Sequence, residues 1–282
     1  DKSQPNHQEH EELRVEHVDS LNKSSIVFAA FASAGFHEFM LNWYAHTQKL
    51  NIGNVIVAAF DAETEKVCKE NNIRYLGDEE LRYTHGVVAT GGQPLHDQNA
   101  KVTMVGKAFQ QIGALKASFL LRLMQKGFRV LVSDCDTAWM RDPRAYFNKG
   151  TYGKADILVS TDCIDVPGDK DDSNKCAHVN FNTGILHIRA TEESKNFLQA
   201  WKTKVATSTI AWMRDQPAFN LLMHEGVRGH ALENAIKLKD MADRGKEGFR
   251  MVYYAANATV KLGVLPNWLF GNGHSYFVQW HH

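Results

Sequence analysis

The stretch Phe128-Arg129-Val130-Leu131-Val132-Ser133 runs directly into Asp134-Cys135-Asp136. A Val-Leu-Val centre without polar interruption marks a strand packed on both faces, and such a strand belongs in an α/β sheet covered by helices on either side. The carboxyl end of that strand opens onto the crevice where α/β folds hold their ligands. Two carboxylates at alternate positions in the turn can share one divalent cation, and the cation can hold a diphosphate. The alternative is a solvated Asp pair at a strand–loop junction. Asp-x-Asp alone decides little. Preceded by this strand and followed by Thr137-Ala138-Trp139-Met140-Arg141-Asp142-Pro143, it becomes specific.

The chain has 282 residues, within the range of one large α/β domain. Lys+Arg and Asp+Glu balance at 32 each, so no global field favours nucleic acid or an anionic membrane as partner. No apolar run reaches the roughly 18 residues of a membrane span, so any membrane attachment is expected from a segment absent from this chain. The 14 histidines show no zinc-site spacing. Cys163 and Cys176 bracket a polar loop and could close it, with two free thiols as the alternative. Asn22-Lys23-Ser24 and Asn257-Ala258-Thr259 are glycosylation sequons, and with the cysteine pair they lean toward the secretory pathway.

Residues 1–24 are polar and read as a stem, leaving 25–282 as a single domain. Ile26 to Ala32 predicts a first strand, Phe36 to Gln48 a helix, Asn54 to Asp61 a second strand, Glu63 to Asn71 a second helix, and Arg74 to Leu76 a third strand. This βαβαβ opening begins a doubly wound, mostly parallel sheet. An apolar helical pattern from Thr103 to Lys126 leads into the Asp134 strand. Further strands are expected at Ile157–Ser160, Phe181–Ile188, Gly263–Leu265 and Tyr276–Val278, with helices over Glu192–Val205 and Gln216–Met223. Trp43, Trp139 and Trp268 read as core aromatics rather than sugar platforms, and Asp169-Lys170-Asp171-Asp172 as a solvated loop. Asp134, Asp136, Asp162, Asn182, Asp215 and Gln216 all fall at strand ends or helix starts of the second half. Such residues converge on one crevice, where carboxylates hold a cation and amides bind sugar hydroxyls.

At these positions the sequence resembles the nucleotide-diphospho-sugar transferases of glycosyltransferase family 77. That family includes arabinofuranosyltransferases of hydroxyproline-rich proteins, xylosyltransferases of pectin and a protist galactosyltransferase. Asp134 to Pro143 is similar to its "DxDxxWxxxP" signature, Gly113-Ala114-Leu115-Lys116 to its "GxxK" segment, and Asn182 to Thr191 to its "NxGxxxxRxT" stretch. Asp215-Gln216 with Phe219-Asn220 resembles "DQxxFN", and Leu265-Pro266 with Gly273 to Gln279 resembles "LP…GHxYFVQ". The resemblance covers about Ile26 to Gln279.

It implies a Rossmann-like GT-A fold, a UDP-sugar donor, Mn2+ (or Mg2+), a glycoprotein or glycan acceptor, and transfer with retention of configuration. Asp136 would coordinate the metal, with Asp134 on the metal or the ribose. Phe31, Ala32 and Ser33 would line the uridine slot, and Cys135 would join the donor-binding turn. Lys116 would contact the diphosphate or the donor sugar; on propensity alone it could equally be a solvated helix lysine. Asp162 and Asn182 would hold donor-sugar hydroxyls. Asp215 and Gln216 would face the anomeric carbon and stabilise its positive charge; the alternative for Asp215 is a helix cap before Pro217. Arabinofuranose is the favoured sugar, with galactose and xylose as alternatives, and the Golgi lumen, reached from a type II membrane precursor, is the expected location. The family carries a further metal-ligating His beyond the Phe277-Val278-Gln279 element, where this sequence stops at Trp280-His281-His282. Either that segment lies outside this sequence or a nearby His substitutes; His274 is the candidate, with a structural role after Gly273 as its alternative.

Two other readings stand beside this one. A haloacid-dehalogenase-type phosphohydrolase also sets Asp-x-Asp after a strand, but its Thr stands two residues after the second Asp, where this chain has Ala138. A non-catalytic nucleotide- or glycan-binding module with a decayed site is opposed by the intact polar set.

Overall fold

The computed structural model describes residues 17–77, 107–165, 169, 180–210, 212–225 and 252–271. Among these residues eight strands form one sheet: β1 (Val27–Ala32), β2 (Val55–Ala59), β3 (Tyr75–Leu76), β4 (Val130–Ser133), β5 (Ile157–Thr161), β6 (Phe181–Ile188), β7 (Val252–Ala255) and β8 (Val260–Val264). Their order is β3-β2-β1-β4-β6-β5-β8-β7. Among the described residues four of the seven pairings are parallel: β1 with β2 and β4, β2 with β3, and β5 with β8. Every residue of β2, β4 and β5 is buried, as central strands covered on both faces require.

Among the described residues five α-helices supply the cover: α1 (His37–Lys49), α2 (Ala62–Glu70), α3 (Lys107–Gln125), α4 (Glu192–Thr207) and α5 (Asp215–Met223). The two-residue period of the strands divides the interior. Val27, Ala29, Val130 and Val132 join a core with Leu120 of α3, Trp201 of α4 and Phe219 of α5. Phe28, Ala30 and Leu131 join a second core with Met40 and Trp43 of α1 and Cys68 of α2. Helices on both faces of a mostly parallel sheet give the doubly wound α/β arrangement expected from the sequence.

One strand departs from that reading. β6 lies antiparallel between β4 and β5, pairing Ser133 with Ile185 and Thr161 with Phe181. Asn182 therefore reaches the crevice from the amino end of its strand, beside the carboxyl ends of its two neighbours. The β7–β8 hairpin was legible only in part. Its tip, Ala256-Asn257-Ala258, holds φ of 49°, 55° and 63°, a left-handed run that non-glycine residues seldom adopt. The strand expected at Tyr276–Val278 lies outside the described residues.

Three further expectations are corrected. The packed body begins before Ser25: Val18 and Leu21 are buried in the first core, and the Asn54 amide donates to the Asn22 carbonyl at 2.9 Å. Trp43 and Trp139 are buried, but Trp268 is 48% exposed. Asp169, assigned to a solvated loop, is buried and accepts the Asn267 backbone N–H at 2.6 Å.

Candidate active site

Gly113 and Lys116 stand three residues apart and so share one face of α3. A Cβ at Gly113 would sit 3.0 Å from the Asp215 backbone nitrogen, so the glycine lets α3 approach the start of α5 at backbone distance. One turn further on, Lys116 enters the site from an apolar neighbourhood and is only 2% exposed. Its Nζ donates to Asp134 Oδ1 at 3.3 Å, Asp215 Oδ2 at 3.2 Å and the Thr183 carbonyl at 3.0 Å. Three acceptors use all three ammonium protons. The ammonium also lies 4.4 Å from the centre of the Phe31 ring, at the end of β1. Lys116 is thus no solvated helix lysine, and the diphosphate contact expected of it has no spare donor in this arrangement.

One cation between two carboxylates leaves the cluster anionic. Burial opposes the charge on Lys116, but Asp134 and Asp215 outweigh it and hold its pKa above the ordinary lysine value. For Asp215, burial is likewise outweighed, by Lys116, the Gln216 backbone N–H and the Thr183 hydroxyl, and its pKa is lowered. Asp134 goes the other way. Burial, with Asp215 and Asp136 as like charges, overcomes the pull of Lys116 and raises its pKa. Its side chain nonetheless keeps 43% of its surface open, whereas Asp215 keeps 21%.

Asp215 is the first residue of α5, and the capping position belongs to Arg214, which makes no side-chain cap bond. Thr183 Oγ1 donates to Asp215 Oδ2 at 3.1 Å, and Trp201 Nε1 donates to the Asp215 carbonyl at 2.8 Å. The capping alternative for Asp215 is therefore not what the geometry shows. Beside this cluster runs a second chain of bonds. Gln216 Nε2 donates to Asp162 Oδ2 at 2.8 Å, and Asn182 Nδ2 donates to Asp162 Oδ1 at 2.7 Å. Gln216 Oε1 accepts the Thr183 N–H at 3.3 Å, and Asn182 Oδ1 accepts the Gly184 N–H at 2.7 Å. Asp134, Asp162, Asn182, Asp215 and Gln216 thus converge as the sequence implied.

The remaining candidates are placed less uniformly. Asp136 is exposed in the turn that the Thr137 N–H closes onto the Asp134 carbonyl at 3.1 Å. Cys135 turns into the second core, and burial, then Asp136 and Asp134, push its thiol pKa up to about 12. Only its backbone is left for a ligand. Phe31 packs against Phe60 beneath Lys116, Ala32 is buried in the second core, and Ser33 is half-buried just beyond β1. His274 lies outside the described residues. Among those described, no group of three or more His, Cys, Asp or Glu side chains is arranged to hold a metal.

Sequence reasoning gave no role to Thr183, Gly184 or Asn220. A Cβ at Gly184 would lie 2.7 Å from Asn182 Oδ1 and 3.0 Å from Asp134 Oδ2, so glycine lets both side chains pack directly against the backbone. Asn220 pins β6 to α5, accepting the Phe181 N–H at 2.8 Å and donating to the Phe181 and Gln216 carbonyls at 2.9 Å each. The Asn182-Thr183-Gly184 run beside a strand start was the available signal.

The family model described as "Nucleotide-diphospho-sugar transferase" matches residues 50–282, well over half of the chain. The chain belongs to that family. It is 27% identical over 265 residues to Arabinosyltransferase XEG113 of Arabidopsis thaliana, covering 91% of this chain and 35% of that protein. Beta-arabinofuranosyltransferase RAY1 of the same plant is 21% identical, covering 70% of this chain and 33% of its own length. UDP-D-xylose:L-fucose alpha-1,3-D-xylosyltransferase 1, also from Arabidopsis thaliana, is 23% identical, covering 72% and 55%. The chain thus spans about a third to just over half the length of these relatives. Among solved structures, the glycosyltransferase GlyE of Streptococcus pneumoniae overlaps 90% of this chain and 49% of its own, at 10% identity and a TM-score of 0.43.

Proposed function

We propose that this chain is the catalytic unit of a metal-dependent, retaining glycosyltransferase that moves a sugar from a UDP-sugar to a glycan or glycoprotein acceptor. The observation that carries the reading is the pair of carboxylates, Asp134 and Asp215, held around one buried lysine, with Asp136 exposed in the turn after Asp134 and the Asp162–Asn182–Gln216 network adjoining. Arabinofuranose is favoured as the transferred sugar because two relatives bear arabinosyltransferase names, with xylose and galactose as alternatives. A relative named for transfer to L-fucose supports a sugar as acceptor. Disulfide-bonded Cys163 fits an oxidising lumen such as the Golgi. Among the described residues no helix is long and apolar enough to cross a membrane.

The residues fit a divalent cation. Asp134 is raised in pKa by burial and like charge, and its side chain has an open side. Asp134 and Asp136 would hold Mn2+ or Mg2+, with His274 as the proposed third ligand, and the cation would supply charge neutralisation for a leaving diphosphate. Lys116 fixes the positions of Asp134 and Asp215 relative to each other. Asp162 and Asn182 present a paired carboxylate and amide to donor-sugar hydroxyls. Asp215, held ionised by Lys116 and Thr183, and the Gln216 amide stabilise positive charge as it develops at the anomeric carbon.

Calorimetric titration of UDP with and without Mn2+ tests this. Binding is expected to require the cation, and Asp136→Asn is expected to abolish the cation's effect, since an amide lacks the anionic oxygen that Mn2+ prefers. Equal UDP affinity in EDTA would overturn the metal-dependent reading.

A further inference from the structure

Strand order sets out the site along one edge of the sheet: the end of β1, then β4 with Asp134, the start of β6 with Asn182, β5 with Asp162, and then β8. In the reading above, nucleotide, diphosphate and donor sugar occupy the first four positions in turn. The next ring along that edge, the acceptor's, falls beside β8. β8 is parallel to β5 and leaves the sheet at the same edge, one strand spacing of about 4.8 Å further on.

The turn that follows β8 is fixed from several sides. Leu269 and Phe270 donate their N–H groups to the Pro266 carbonyl at 3.1 and 2.8 Å. Asn267 is 2% exposed; its backbone N–H goes to buried Asp169 and its amide to the carbonyl of Cys163, the residue after Asp162. Cys163 is itself disulfide-bonded. Phe270 is buried against Tyr146 and Phe147, with ring centres 5.5 and 5.8 Å away. On this clamped turn Trp268 is 48% exposed. An aromatic face exposed on a pre-ordered turn loses little entropy when a ligand covers it.

We infer that Trp268 is the stacking platform for the acceptor's reacting sugar ring, an inference that rests on the glycosyltransferase reading. The indole covers the C–H face of that ring at the end of the row, one strand beyond Asp162 and the donor sugar. A flat aromatic face on a fixed turn, next in line after the donor sugar, suits the C–H face of an acceptor ring better than an apolar peptide.

Saturation-transfer NMR with methyl arabinofuranoside, methyl galactoside and methyl fucoside, in the presence of UDP and Mn2+, tests the inference. Wild-type protein is expected to bind at least one of them, Trp268→Ala to weaken that binding about tenfold or more, and Trp268→Phe to restore most of it. In turnover the Ala variant is expected to raise acceptor KM far more than it lowers kcat, since the contact is made before the transition state. Unchanged glycoside binding in Trp268→Ala overturns the inference, as does wild-type protein that binds a proline-rich peptide and none of the glycosides. Loss of UDP binding by the wild-type protein itself would instead overturn the transferase reading, on which this one depends.

Discussion

At the residue scale, the site is a set of polar groups whose partners fix their roles. Asp134, Asp162, Asn182, Asp215 and Gln216 were legible because polar residues at the ends of apolar strands have few other reasons to be there. Thr183 was not, since a β-branched residue inside a strand looks like packing, and its hydroxyl and two backbone groups act only through neighbours. The burial of Lys116 was also hidden: a lone lysine in an apolar helix is ordinarily a snorkelling side chain, and here two carboxylates from distant segments keep it inside. Gln216 gives the sharpest test at this scale. Its amide bridges Asp162 and the Thr183 N–H in a half-open position where water can replace it, so Gln216→Ala is expected to fold normally and to bind UDP nearly as tightly. Turnover is expected to fall on the order of 10²-fold, as for one lost transition-state contact. A wild-type rate in single-turnover assays would remove Gln216 from the reacting centre.

At the element scale, β6 decides the shape of the crevice, and its direction could not be read. Parallel and antiparallel strands show the same two-residue alternation, so Phe181–Ile188 announced a strand without saying which end meets β4. Running antiparallel, it brings Asn182, Thr183 and Gly184 beside Asp134 and Asp162 together. This arrangement depends on Gly184. The position does not require a left-handed backbone, so alanine meets a steric rather than a conformational obstacle. The added Cβ would displace Asn182 Oδ1, break its 2.7 Å bond to the Gly184 N–H, and draw Asn182 Nδ2 away from Asp162. Asp134 Oδ2 would be crowded as well. Gly184→Ala is expected to weaken UDP binding in Mn2+ by at least about tenfold, with a melting temperature within a few degrees of wild type. Wild-type affinity in that variant would show that neither side chain needs its present position.

At the scale of the whole molecule, the two cores on either side of the sheet were largely legible, because apolar runs and helical spacing specify them locally. What lies between strands far apart in sequence was not, and His187 is the plainest case. β6 crosses the middle of the sheet, and His187 sits there fully buried, stacked 4.7 Å from Phe147 at 12° between ring planes. Among the described residues neither of its ring nitrogens has a hydrogen-bond partner. Burial, with Arg189 and Arg129 as like charges, lowers its pKa from 6.5 to about 3. Below pH 6.5 the unfolded chain therefore takes up a proton that the folded chain refuses. The stability linked to His187 is complete above that pH and declines as pH falls toward the folded-state value, by about 1.4 kcal/mol per pH unit. Carboxylates titrate over part of the same range, so the test is a difference between proteins. His187→Phe keeps the stack on Phe147 and removes the titrating group. Urea unfolding at pH 7 and pH 5 is expected to show wild type losing about 2 kcal/mol more than the variant between those two conditions. Parallel losses would mean that the imidazole is protonated inside the fold, and that the stacked, unpaired geometry of His187 does not hold in solution.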